Sequence, residues 1–121
     1  LSQAGDLSKS AKDVNGYTFI SSVMSDGVSG DDLRKIAIDL RAQHNNSVIA
    51  LLSNNDGKPV LVVAVSEEAR AKGIKAGALV KIGSTVLGGG GGGKDDFAQG
   101  GGTNPGASLD AIAAISQSLL G

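Results

Sequence analysis

The spacing of apolar residues predicts both strands and helices in this chain. Residues 17–24 are rich in β-branched and aromatic side chains, which favours a strand. Residues 48–52 and 60–65 are continuous apolar runs, and such runs are typical of strands that are buried on both faces. An Asp56-Gly57 pair between the two runs predicts a tight turn, so we expect these two strands to form a hairpin.

Three further segments show the helical spacing in which apolar residues recur every three or four positions. Ser29, followed by acidic residues, is a typical N-cap for the first of them, and Asn104-Pro105 resembles a cap with proline at the first helical position of the last. Ser66 marks another helix or turn start. The stripes that we expect to face the core are Leu33, Ile36, Ala37 and Leu40 in the first helix, Ala78, Leu79, Ile82 and Val86 in the second, and Leu109, Ile112, Ala113, Ile115, Leu119 and Leu120 in the third.

The order of these elements predicts one small α/β domain, in which a mixed β-sheet with a central hairpin is covered by about three helices. A glycine-rich loop precedes the last helix. We expect residues 16–121 to form this domain and residues 1–15, which are polar and irregular, to be the end of a preceding helical segment or a linker. The chain begins at Leu1 without a basic stretch followed by an apolar one, so we expect no signal peptide and a longer parent protein. No apolar run approaches the ~20 residues of a membrane-spanning helix, so no membrane partner is expected.

The composition excludes most kinds of chemistry. Among 121 residues there is no cysteine and a single histidine, His44, which removes disulfides, thiol catalysis and multi-histidine metal sites. His44 falls at a predicted helix end, where a histidine more often caps carbonyl groups than catalyses. Asp95-Asp96 could hold a metal ion, but adjacent acids in a loop are more often solvated. We therefore expect no catalytic residue and no metal ligand.

Glycine is concentrated in one region. Ten of the 19 glycines fall within residues 88–106, and side chains at Lys94, Asp96, Phe97 and Gln99 interrupt them. Ordering six consecutive glycines costs roughly 3–6 kcal/mol relative to alanine, so the run is either a mobile linker or is held by contacts that need a bare backbone. Another backbone, or an anion facing a row of amide groups, would be such a contact. A Walker A loop is excluded, because aspartate follows the lysine instead of serine or threonine.

Charge is unevenly distributed along the chain. The net charge is −1, but the window from residue 69 to 94 contains five basic residues and no acidic one. Such a window is either a phosphate-facing surface or a solvated helix face. With only three aromatic residues, the chain is poorly equipped to stack nucleic-acid bases. The basic candidates are Arg70, Lys72, Lys75, Lys81 and Lys94.

Fixed non-glycine residues recur at fixed spacing around the glycines. The pattern consists of Lys75-Ala76-Gly77-Ala78-Leu79-Val80-Lys81, the run from Gly88 to Lys94, and Asp96-Phe97-Ala98-Gln99-Gly100-Gly101-Gly102. It resembles the C-terminal domain of bacterial alanyl-tRNA synthetases, a DHHA1-type module shared with the DHH phosphoesterases. The family pattern is close to Gly-Gly-Lys-Gly-Gly-Gly-Arg-Pro-Asp-Met-Ala-Gln-Gly-Gly, and the order of elements agrees from about residue 14 to residue 120.

The resemblance implies a non-catalytic accessory domain that binds the outer corner of the tRNA for alanine, where the D and T loops meet, and supports aminoacylation and editing. The parent enzyme would ligate alanine to tRNA in the cytoplasm, using ATP, magnesium and zinc, while this fragment would hold no cofactor. Its partners would be that tRNA, the catalytic and editing domains of the parent chain, and a second copy joined through a helical segment outside this chain. The implied nucleic-acid-binding residues are Arg70, Lys72, Lys75, Lys81, Gly88, Gly89, Gly90, Gly91, Gly92, Gly93, Lys94, Gln99, Gly100, Gly101 and Gly102.

Two positions depart from the family pattern. Gly90 stands where the family usually has lysine, and Asp95 stands where it usually has proline. The first change removes a cation and the second adds an anion beside Lys94, so we expect a weaker phosphate contact at this segment.

Two other functions fit the same residues. The chain could be the nucleic-acid-binding domain of a DHH-type phosphoesterase or nuclease, although the histidine that typically accompanies that glycine motif is absent here. It could also be an oligomerisation module in which the glycines allow close packing.

Overall fold

The protein consists of a mixed β-sheet with helices packed on both of its faces. The computed structural model describes residues 11–24 and 27–120, and within them it contains six strands and four α-helices. The strands are β1 (Lys12–Val14), β2 (Tyr17–Val23), β3 (Ser47–Asn55), β4 (Lys58–Val65), β5 (Gly91–Gly93) and β6 (Phe97–Gly101). The helices are α1 (Gly30–Gln43), α2 (Glu67–Ala71), α3 (Ala76–Val86) and α4 (Ser108–Ser118), the last preceded by a 3₁₀ turn at Pro105–Ala107.

The strands lie in the order β1-β2-β3-β4-β6-β5. Only the β2–β3 pair is parallel among these described strands, and α1 is the crossover that connects its two members. β3 and β4 form the predicted hairpin, and its turn residues Asp56 and Gly57 have φ angles of 52° and 77°. These positive angles are the reason for an Asp-Gly pair at this turn. The predicted α/β class and central hairpin are confirmed.

Each face of the sheet has its own apolar core. On one face, Leu33, Ala37 and Leu40 of α1 pack against the sheet, and on the other face α2, α3 and α4 do so. Because β3 and β4 are covered on both faces, nearly every residue in them is buried, which accounts for their continuous apolar runs. The buried strand residues beneath α1 are Ile20, Ile49, Leu51, Val62 and Ala64, and those facing the other helices include Phe19, Val48, Ala50, Leu52, Leu61, Val63 and Val65.

The predicted core stripe of α3 is partly wrong. Leu79 is buried, but Ala78 is exposed, and the buried face also contains Gly83. A Cβ atom at Gly83 would lie 2.5 Å from Leu61 Cδ2 and 2.9 Å from Ile115 Cδ1, so this helix approaches the sheet and α4 too closely for a larger residue. The full buried set of α3 is Ala76, Leu79, Val80, Gly83 and Ser84.

The predicted stripe of the last helix is also partly wrong. Ala111, Ile115 and the following Leu119 are buried, whereas Leu109 and Leu120, two of the expected core residues, are 75% and 62% exposed. The helix begins as expected after Asn104, whose side chain accepts a hydrogen bond from the Gly106 amide. Only one face of α4 meets the rest of the domain, so apolar residues off that face stay in solvent.

The glycine-rich segment is a β-hairpin and not an irregular loop. β5 and β6 pair antiparallel, and β6 joins the central hairpin through β4. The bare backbone is required by close approach: a Cβ at Gly91 would lie 2.8 Å from the Gln99 carbonyl oxygen, and one at Gly101 would lie 2.6 Å from the Pro59 carbonyl oxygen. Of the two alternatives for the glycines, contact with another backbone is therefore the one that the structure shows.

The first strand lies ahead of the boundary predicted at residue 16. Lys12 pairs with Phe19 and Val14 with Tyr17, so residues expected in a linker belong to the sheet. Residues 1–10, predicted to be the end of a helical segment or a linker, lie outside the described residues. None of the helices in the described part of the chain has the length and apolarity that crossing a bilayer requires.

Candidate nucleic-acid interface

An open groove of about 380 Å³ lies between α1 and the β5–β6 hairpin. α1 packs across the face of β3 and β4. β6 lies beside β4 in the sheet, so the side of α1 that is nearer to β6 faces the β5–β6 hairpin. Three cationic side chains and one carboxylate line the groove, together with an aromatic ring and bare backbone. The lining residues that carry the chemistry are Arg34, Arg41, Gly92, Lys94, Asp96, Phe97 and Gln99.

Arg41 fixes the turn of the hairpin to α1. Its Nη1 donates a hydrogen bond to the main-chain carbonyl oxygen of Asp96 at 2.8 Å. The same nitrogen lies 4.0 Å from a carboxylate oxygen of Asp96, so the one negative charge in the groove is offset by its neighbour. A main-chain carbonyl of the turn is also tied to α3, because the Ala76 amide donates to the Asp95 carbonyl oxygen at 2.9 Å. The turn is thus held from both faces of the sheet.

Arg34 lies over the ring of Phe97. The distance from Arg34 Cζ to the ring centroid is 5.4 Å, which is within the range of a cation–π contact. Phe97 is half-buried and packs into the core beneath α1, while Arg34 is exposed. The aromatic ring therefore supports a guanidinium group at the surface of the groove.

The two faces of the glycine hairpin differ in crowding. Side chains alternate across a strand, and Gly92 pairs with Gln99, whose side chain points to the α1 side and approaches Gly30. Within the described part of the chain, no atom would lie within 4 Å of a Cβ at Gly90 or at Gly92. These two positions are open, whereas Gly91 between them is enclosed. The groove side of the hairpin consequently presents backbone with free space in front of it.

The structure brings only some of the sequence-predicted residues together. Gly92, Gly93, Lys94 and Gln99 line the groove. Asp95, whose extra negative charge was expected to weaken a phosphate contact, is not among the lining residues. The other predicted glycines serve the hairpin and its junctions, and they are Gly88, Gly89, Gly90, Gly91, Gly100, Gly101 and Gly102.

The remaining basic candidates lie on the opposite side of the sheet. Arg70 donates from Nε to the Val65 carbonyl oxygen at 3.2 Å, and Lys72 Nζ lies 5.6 Å from the centroid of the Tyr17 ring. Lys81 is exposed on α3. Lys75 precedes Ala76, whose amide bonds the hairpin turn, but it does not line the groove. The basic window of the sequence is therefore divided between two surfaces.

Sequence reasoning missed the two arginines of α1. Arg34 and Arg41 are seven residues apart, so they lie on the same side of a helix, and both fall outside the predicted core stripe. That spacing was a signal for a shared surface. Which part of the chain this arginine surface faces depends on the long-range pairing of β6 with β4.

A second hollow, of about 460 Å³, lies beyond Arg41 and is lined by His44, Ser66, Glu67 and Glu68. Its two glutamates make it less suited to phosphate than the groove at the hairpin. In the described part of the chain, no three histidine, cysteine, aspartate or glutamate residues are grouped so that they could hold a metal ion.

Comparisons with known proteins identify the family. The model of the DHHA1 domain matches residues 16–120, so the chain belongs to the DHHA1 domain family. Over 118 residues it is 45% identical to the alanine–tRNA ligase of Streptomyces avermitilis, covering 95% of this chain and 13% of that enzyme. It is 47% identical over 116 residues to the alanine–tRNA ligase of Acidothermus cellulolyticus, covering 94% of this chain and 13% of the enzyme.

Solved structures give the same assignment. The C-Ala domain of Aquifex aeolicus alanyl-tRNA synthetase superposes with a TM-score of 0.86 at 31% identity, covering 92% of this chain and 98% of that one. RecJ of Thermus thermophilus shares the fold with a TM-score of 0.65 at 13% identity, covering 96% of this chain and 16% of its own. The resemblance to the C-terminal domain of alanyl-tRNA synthetases is confirmed, and the chain spans about one eighth of the length of the ligases that it matches.

Proposed function

We propose that this domain is a non-catalytic tRNA-binding module of an alanyl-tRNA synthetase and that it binds tRNA through the groove between α1 and the β5–β6 hairpin. The observation that carries the proposal is the cationic lining of that groove beside open backbone at Gly92. Phosphate groups favour a surface of this kind, because arginine and lysine neutralise them and a bare backbone lets them approach.

The outer corner of a folded tRNA is the part that we propose as the ligand. The parent enzyme would join alanine to this tRNA with ATP, magnesium and zinc in the cytoplasm, and its editing domain would share the same tRNA. The role of this domain would be to hold the tRNA while the catalytic and editing domains act. We place any dimer contact of the parent in the helical segment that precedes this domain in the family.

A binding titration tests the proposal. The ligand is an alanine-accepting tRNA transcript at low salt, followed by fluorescence anisotropy, and the comparison is an RNA duplex of similar length that lacks the folded corner. We expect a Kd of roughly 10⁻⁴–10⁻⁶ M for the tRNA and weaker binding of the duplex. Equal binding of the two RNAs, or no binding of either, would contradict the proposal.

Two matched lysine variants locate the site. Lys94 lines the groove, whereas Lys81 is exposed on the opposite face of the sheet. Lys94→Ala should weaken tRNA binding and reduce the slope of log Kd against log salt by about 0.9, the contribution of one phosphate contact. Lys81→Ala should change neither. The reverse result would move the interface to the face of α3.

A further inference from the structure

We propose that the groove holds one unpaired nucleobase, stacked on the guanidinium group of Arg34. This inference rests on the proposed function, because it names how that same groove recognises RNA. It also changes the expectation from composition: three aromatic residues are few, but one of them supports an arginine that can stack in its place.

Arg34 and Phe97 together form the platform for the base. Arg34 Cζ lies 5.4 Å from the centroid of the Phe97 ring, which is half-buried and packs against the core beneath α1. A guanidinium group is planar, and bases in RNA complexes stack on such planes as well as on aromatic rings. The contact with Phe97 already restricts the guanidinium group of Arg34. The Arg34 side chain therefore loses less conformational freedom when a base stacks on it.

The groove has room for a single base. The groove volume of about 380 Å³ lies at the small end of ligand sites in proteins, which suits one nucleoside better than a larger ligand. Gly92 leaves the wall opposite α1 without a side chain, and nothing lies within 4 Å of its open position. A flat base can therefore approach the backbone of the hairpin at Gly92.

Polar side chains surround the place that such a base would occupy. Lys94, at the end of the hairpin, is exposed and can neutralise the phosphate of the same nucleotide. The amide of Gln99 has both donors and an acceptor, which a base edge can use. The carboxylate of Asp96 lies beside Arg41, which offsets its repulsion of the phosphate. An acidic peptide could use the same cations, but it offers no flat base to stack on the plane of Arg34.

The test separates stacking from charge. Arg34→Lys keeps the positive charge and loses the plane, and Lys35→Ala removes a charge from the next residue of the same helix, which does not line this groove. Stacking predicts that Arg34→Lys weakens tRNA binding by at least about fivefold, equivalent to the lower end of the ~1–3 kcal/mol of one base stack, with an unchanged salt slope. Lys35→Ala should bind within about twofold of the unaltered chain.

A second probe reads stacking directly and does not depend on tRNA. A short single-stranded RNA carrying one 2-aminopurine should gain fluorescence when the unaltered chain binds it, because the base leaves its stack on neighbouring bases, and Arg34→Lys should abolish that gain. A gain that depends on Arg34 supports the inference even if folded tRNA does not bind, in which case only the proposed function fails. Tight tRNA binding with Arg34→Lys equal to the unaltered chain, and no fluorescence change, overturns the inference and leaves the proposed function standing. Failure of both probes overturns both.

Discussion

Arg41 of α1 donates a hydrogen bond to the main-chain carbonyl oxygen of Asp96, and the 2.8 Å contact joins the helix to the turn of the glycine hairpin. The carboxylate of the same aspartate is 4.0 Å away, at the limit of an ion pair, and is 42% exposed. The bond to the carbonyl is therefore the stronger tie, and it positions the groove.

A pair of substitutions tests this assignment. Arg41→Ala should destabilise the domain by about 1.5–3 kcal/mol, because a charged hydrogen bond to a partly buried carbonyl is lost. Asp96→Asn keeps the carbonyl and should cost less than about 1 kcal/mol, as expected for an exposed ion pair. Urea denaturation of the two variants gives both free energies. An equal loss in both would mean that the ion pair, and not the main-chain contact, holds the turn.

Neighbouring glycines in β5 should respond oppositely to alanine. Gly91→Ala places a Cβ 2.8 Å from the Gln99 carbonyl oxygen, and we expect a loss of about 1–3 kcal/mol from overpacking. Gly92→Ala enters open space and should be neutral or stabilise by about 0.5–1 kcal/mol through the lower entropy of the unfolded chain. Thermal denaturation of both variants checks the contrast. Similar melting temperatures would show that the hairpin does not have this register.

A lysine in place of Gly90 should strengthen tRNA binding. The family pattern has lysine there, a Cβ at this position would meet none of the described atoms within 4 Å, and alternation places it on the same side of the sheet as Gly92. Gly90→Lys should tighten tRNA binding several-fold and steepen the salt slope by about 0.9 for one new phosphate contact. Gly90→Gln, of similar length without the charge, should leave the slope unchanged. An unchanged affinity in Gly90→Lys would place the RNA away from this end of the hairpin.

Two buried serines should differ in their effect on stability. Ser84 Oγ is buried and has no hydrogen-bond partner among the described residues, whereas Ser53 Oγ donates to the Val28 carbonyl oxygen at 2.6 Å. Ser84→Ala should be neutral or stabilising by up to about 1 kcal/mol, because it removes an unsatisfied hydroxyl group. Ser53→Ala should cost about 0.5–1.5 kcal/mol, because it removes one buried hydrogen bond while the Val28 carbonyl keeps its bond from Asn55 Nδ2 at 3.0 Å. Chemical denaturation checks both, and a large loss in Ser84→Ala would reveal a partner for its hydroxyl.

Local chemistry made much of the fold predictable. Ser29 accepts a hydrogen bond from the Asp32 amide as an N-cap, and the Asp56-Gly57 pair forms the turn between β3 and β4. These features depend on a few adjacent residues. The stripe of α3 was less predictable, because Gly83 faces the core only where Leu61 and Ile115 approach from distant parts of the chain.

The candidate site was half predictable for the same reason. Lys94 and Gln99 stand within the glycine motif and were found from the sequence. Arg34 and Arg41 lie on a helix more than 50 residues earlier, and they join the site only because β6 pairs with β4. Composition also hid the pairing of Arg34 with Phe97, since a count of aromatic residues does not show what each ring supports.

Amide chemical-shift mapping tests the position of the RNA-binding surface of the protein most directly. A ¹⁵N-labelled sample of this chain is titrated with the tRNA transcript at low salt. We expect the largest shifts at Arg34, Gly92, Lys94 and Gln99, with little change at Lys72 and Lys81. The largest shifts at Lys72 and Lys81, with a silent groove, would contradict the account.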